Sequence, residues 1–80
     1  MTLAKWGDIP EPVREHLEAR LRERYISKAE LRQLQFWMTS QPSVPNGPWF
    51  KDFGTFMFCG DAEFPKTFLR PGQVPYGECL

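Results

Sequence analysis

Residues 40 to 48 read Ser-Gln-Pro-Ser-Val-Pro-Asn-Gly-Pro. A proline has no backbone N–H to give to a helix or a central strand, and its ring fixes φ, so this stretch belongs to neither. The chain is therefore not one continuous bundle or one continuous sheet. It is a loop with a half on either side, and the hydrophobic period of each half has to be read separately.

Upstream the period is helical. Asp8, Pro10, Glu11 and Pro12 supply a cap candidate, first-turn prolines and an acid near the positive end of a helix dipole. Val13, Leu17, Leu21 and Tyr25 then recur at every fourth position, with Glu15, Glu18, Arg22 and Glu23 opposite. A second helix begins at Ser27. Ser27 and Glu30 have the spacing of a capping box, and Ile26 and Leu31 that of a hydrophobic staple. Leu31, Leu34, Trp37 and Met38 share a face that Phe36 is expected to widen. The short join between the helices makes them spatial neighbours.

Downstream the period is extended. Trp49 to Lys51, Thr55 to Cys59 and Lys66 to Arg70 read as three strands, separated by Asp52-Phe53-Gly54 and Gly60-Asp61 as turns. Pro71-Gly72 suits a type II turn, and the tail to Leu80 reads as irregular. The expected fold is α+β, two N-terminal helices packed on a small three-stranded antiparallel sheet. Its parts are helices over 8 to 39, the loop over 40 to 48, the β part over 49 to 70 and the tail over 71 to 80. Eighty residues leave no room for a second domain, and 41% apolar content supplies a core without a metal or a staple.

Charge and cysteine content narrow the function classes. Ten basic and ten acidic side chains cancel, which removes the general argument for a nucleic-acid or anionic-membrane partner. No apolar run is long enough for a membrane span and no secretory signal is visible, so a cytosolic chain with Cys59 and Cys79 reduced and structural is expected. The single histidine, His16, falls on the polar side of the first helix, with no nucleophile or acid beside it in sequence. Together with the two thiols it would give a metal at most three ligands, without zinc-site spacing. Asp61 and Glu63 read as turn formers, and the glycines lack the spacing of a phosphate cradle. No catalytic residue, cofactor or metal ligand is assigned, and the chain is expected not to be an enzyme.

Surplus aromatic residues remain. In the central strand Phe56 and Phe58 point one way while Thr55, Met57 and Cys59 point the other, so both sheet faces carry apolar groups and one must be covered by the tail, the loop or another molecule. Trp49, Phe50, Phe56 and Phe58 are the candidate contact residues for a protein partner or a homodimer, with Arg20 and Arg24 as a second candidate surface on the first helix. The alternative is single-stranded nucleic acid stacking on Phe56, Phe58 and Phe68 beside Lys51, Lys66 and Arg70. Against it, residues 49 to 80 hold those three cations and four acids, Asp52, Asp61, Glu63 and Glu78.

The run from Pro42 through Trp49-Phe-Lys-Asp-Phe-Gly-Thr-Phe-Met-Phe-Cys-Gly60, followed by Phe64-Pro-Lys-Thr-Phe-Leu69, is distinctive enough to be the signature of a small bacterial or phage family. In size, single domain and missing catalytic set the chain resembles the small inhibitors encoded by phages and mobile elements, of which the anti-CRISPR proteins are the best-known class. The likeness is one of type without a shared motif, and it carries no residue over. It implies a stoichiometric binder that blocks a host CRISPR effector.

Overall fold

The computed structural model describes residues 1–23 and 26–80. A 3-10 turn at Trp6–Asp8 leads into α1 (Glu11–Arg22) and α2 (Lys28–Thr39), then β1 (Pro48–Asp52), β2 (Met57–Asp61), β3 (Phe64–Leu69) and β4 (Glu78–Cys79). The α+β class and the helices-first order agree with the sequence reading. The sheet does not. It has four strands in the order β3-β2-β1-β4, antiparallel except that β4 runs parallel to β1. The tail read as irregular thus ends in a strand, one of only two residues, too short to show any period. No helix among the described residues is long and apolar enough to cross a membrane.

Only α2 starts from a side-chain cap. Asp8 closes the 3-10 turn, and α1 starts from Pro10 with no side-chain cap, which corrects the expected Asp cap. At α2 both halves of the capping box are made: Glu30 N donates to Ser27 Oγ at 3.1 Å and Ser27 N donates to Glu30 Oε1 at 2.8 Å. The Pro-rich loop does more than connect. Val44 within it is buried in the core, and the N-terminal strand of backbone clips to it through Leu3 N to Pro42 O at 3.0 Å.

Strand register sorts the aromatic side chains. Trp49 pairs with Gly60, and Phe58 pairs with Lys51 and Phe68, so these residues share the inner face of the sheet. Leu17 of α1 and Leu34 of α2 join them in one buried cluster. Trp37 of α2 meets Trp49 at 5.9 Å and Phe58 at 6.2 Å between ring centroids. Trp49, Phe56 and Phe58 are 0%, 1% and 0% exposed, which corrects their assignment as partner contacts: they are the core. The reason is geometric, because two helices suffice to seal one face of so narrow a sheet.

Gly60-Asp61, read as a turn, lies inside β2. The hairpin turn is Ala62-Glu63, with Ala62 at φ 53°. Glycine stands at 60 for space: a Cβ there would overlap the Trp49 ring and lie 2.7 Å from the Phe64 carbonyl oxygen. The Pro71-Gly72 turn is as expected, with Gly72 at φ 95° and Gln73 N donating to Arg70 O at 3.2 Å.

The outer face carries Phe50, Met57, Cys59, Thr67 and Leu69, all half-buried. Phe50 pairs with Cys59 on one side and Cys79 on the other. The two thiols are free and stand two strands apart, about 9.6 Å between Cα atoms at the usual strand spacing. That exceeds the roughly 7 Å within which a disulfide can close. Burial pushes the Cys59 thiol pKa up, which further lowers its reactivity. Cys79→Ser is therefore expected to melt within a degree or two of the parent under reducing and oxidising conditions alike, because the exposed thiol holds nothing together. A redox-dependent shift of the monomer's melt would show that β4 leaves its place.

Candidate protein-docking surface

An α-helix turns its side chains by about 100° per residue. Leu34 and Met38 fall near one direction and Phe36 falls nearly opposite, so once Leu34 is buried Phe36 has to face water. Leu34 is 2% exposed and Phe36 is 82% exposed, which corrects the expectation that Phe36 widens the buried face. Lys28, Ala29, Arg32, Gln33, Gln35 and Thr39 are exposed on the same side of α2.

This solvent side forms a ridge with an apolar groove on each flank. One groove, of about 620 Å³, runs between α2 and the first elements of the chain and is lined by Trp6, Leu21, Leu31, Leu34 and Met38. The other, of about 530 Å³, lies between α2 and the β1–β2 turn and is lined by Arg32, Gln33, Phe36, Trp37, Ser40 and Phe53. Its floor is rigid. Phe53 stacks on buried Phe56 with centroids 4.7 Å apart and meets Trp37 edge-on at 5.8 Å. Lys51 Nζ stands 6.0 Å from the Phe53 ring centroid.

The ridge is held at its first turn by Glu30, the only acid in α2. Its carboxylate accepts from Ser27 N, from Thr55 Oγ1 at 2.5 Å and from Arg70 Nη1 at 3.3 Å, and so ties α2 to the β1–β2 turn and to the end of β3. Burial raises its pKa, but the hydrogen bonds from Ser27, Thr55 and Arg70 outweigh that and hold it at about 2. Thr55 and Arg70 are 25 and 40 residues from Glu30. Because Glu30 is spent internally, the exposed side of α2 carries Lys28 and Arg32 and no anion.

The other sequence candidates are dispersed. Phe50 is half-buried on the outer sheet face, away from the ridge. Arg20 pairs at 3.8 Å with Glu23, which caps the end of α1, and Arg14 pairs at 3.8 Å with Glu18 within the helix. Arg24 lies outside the described residues. His16 is exposed and shares a 3.2 Å hydrogen bond with Thr67 Oγ1, a partner 51 residues away. Lys66 pairs with Asp61 at 3.7 Å. Among the described residues no group of three or more His, Cys, Asp or Glu side chains is placed to hold a metal. The sequence signal that would have found the ridge was present in the helical angle of Phe36 relative to Leu34.

No protein-family model matches this chain, and comparison with curated proteins and with solved structures found no match.

Proposed function

We propose that this chain is a non-catalytic protein-binding module that docks through the solvent side of α2, with Phe36 as its anchor. The observation that carries the reading is a large aromatic side chain, 82% exposed, standing on a well-packed helix between two apolar grooves. Leaving such a group in water has no folding benefit, and aromatic and Arg side chains over apolar pockets are what interface hot spots are made of. The nucleic-acid alternative loses its platform, because Phe56, Phe58 and Phe68 are 1%, 0% and 3% exposed.

A photo-crosslinking residue at position 36 is expected to trap a discrete adduct in the producing cell. The same residue at exposed Glu15 on α1 is expected to trap none. Equal adducts at both positions, or none at 36, would sink the reading. Phe36→Ser should leave the melting temperature within about 3 °C, since exposed substitutions change stability by roughly 0.5 kcal/mol or less.

The narrower form of the proposal is an inhibitor of the anti-CRISPR type that blocks a host effector by stoichiometric binding. Its support is the likeness of type and the small size. In a host whose CRISPR system restricts a phage, the parent chain should restore plaques and Phe36→Ser should not. Failure of both against a panel of effector types would remove the inhibitor reading and leave the crosslinking result to decide the broader one.

A further inference from the structure

We infer that the α2 ridge takes an acidic partner segment, one whose carboxylates flank apolar side chains; this rests on the docking reading above and names its partner class. Apolar burial alone would accept many partners, so the charges decide. Arg32 lines the groove that Phe36 and Phe53 form, and Lys51 Nζ stands 6.0 Å from the centroid of the Phe53 ring that lines it. Among the described residues neither cation has an ion-pair partner. The acid that would balance them, Glu30, is buried against Arg70 and Thr55. Asp52, the nearest acid in sequence to Lys51, has its carboxylate turned to the Gly54 amide at 2.7 Å.

The same charges discriminate between occupants. A second copy of this chain seated ridge to ridge would bring two Arg32 and two Lys51 side chains together, with only Asp52, already bonded to the Gly54 amide, beside Lys51 to offset them, which is unfavourable. A nucleic-acid strand would meet two cations at the groove and, along the adjoining strands, the acids of a neutral chain, too few phosphate contacts for useful affinity at physiological salt. A peptide carrying carboxylates beside a Leu or Phe satisfies both the groove and the cations. Phe36 inserts into the partner, and the partner's apolar side chain enters beside Phe53 and Trp37.

The test is selection from a phage-displayed random dodecapeptide library on the folded protein, followed by solution binding of the selected peptides. Peptides rich in Asp and Glu around an apolar residue are expected, with binding lost in Phe36→Ser and weakened about tenfold in Arg32→Glu, a difference of roughly 1.4 kcal/mol. Neutral or basic peptides that still depend on Phe36 would overturn the charge inference alone. Peptides that ignore Phe36 would overturn the docking reading with it. A fifteen-nucleotide oligothymidine that binds more tightly than any selected peptide, or self-association that Phe36→Ser abolishes, would also overturn the acidic-segment assignment.

Discussion

Gly60→Ala is expected to destabilise the domain by on the order of 3 kcal/mol, the upper end for one methyl group forced into a packed core. The added Cβ meets two groups that cannot retreat. One is the Trp49 indole, 0% exposed, flanked by Trp37 and Phe58 and fixed along the same edge by Nε1–H donating to Ala62 O at 2.8 Å. The other is the Phe64 carbonyl at the base of the β2–β3 hairpin. Replacing a strand glycine by alanine ordinarily gains up to about 1 kcal/mol through the unfolded state, so the steric term has to exceed that. Urea unfolding of Gly60→Ala, Trp49→Phe and the double variant measures it. The smaller ring should relieve part of the Gly60→Ala loss, giving a coupling of about 1 kcal/mol or more. A neutral Gly60→Ala would mean that the indole does not lie over β2.

Glu30→Gln is expected to cost on the order of 2 kcal/mol at neutral pH, since it removes a carboxylate that holds three partners at once, only one of them a charged and partly exposed Arg70. In a domain of this size that corresponds to a fall of about 10 °C in melting temperature. The pH dependence gives the sharper test. The carboxyl has its ordinary pKa of 4.5 in the unfolded chain and about 2 when folded. A lowered folded value means that the stabilisation is complete above the unfolded pKa and is lost as pH falls from about 4.5 toward 2. Melting curves of parent and variant should therefore converge over that window. Parallel curves would show that Glu30 is not held ionised by its partners.

What could be read before folding was whatever a short window contains. The Ser27–Glu30 box spans four residues and both its bonds are present. The Pro71-Gly72 turn is equally local. Glu30's other work was hidden, because Thr55 and Arg70 reach it only through the tertiary fold. Gly60 looked like a turn residue for the same reason: nothing in Cys59-Gly60-Asp61 reveals that Trp49, eleven residues earlier, will lie across it. β4 was invisible since its pairing with Trp49 and Phe50 is parallel and non-local. The candidate surface failed differently. Aromatic abundance pointed to surplus apolar groups, but Trp49, Phe56 and Phe58 were absorbed by the core, and the aromatics left in solvent are Tyr76 in the tail and Phe36, whose position on the helical wheel opposes Leu34.

Glu30 also bears on the kinetics of any association at the ridge. Helix ends fray because their first amides lack partners, and a frayed docking helix must be re-ordered each time a partner arrives. Here the first turn of α2 is fastened by the same carboxylate that reaches Thr55 and Arg70, so it can open only by breaking tertiary bonds as well. A partner docking there would meet a first turn whose backbone entropy was already surrendered on folding. Its arrival should follow a single bimolecular step, and apolar substitutions such as Phe36→Ser should then act on residence time rather than on the rate of encounter.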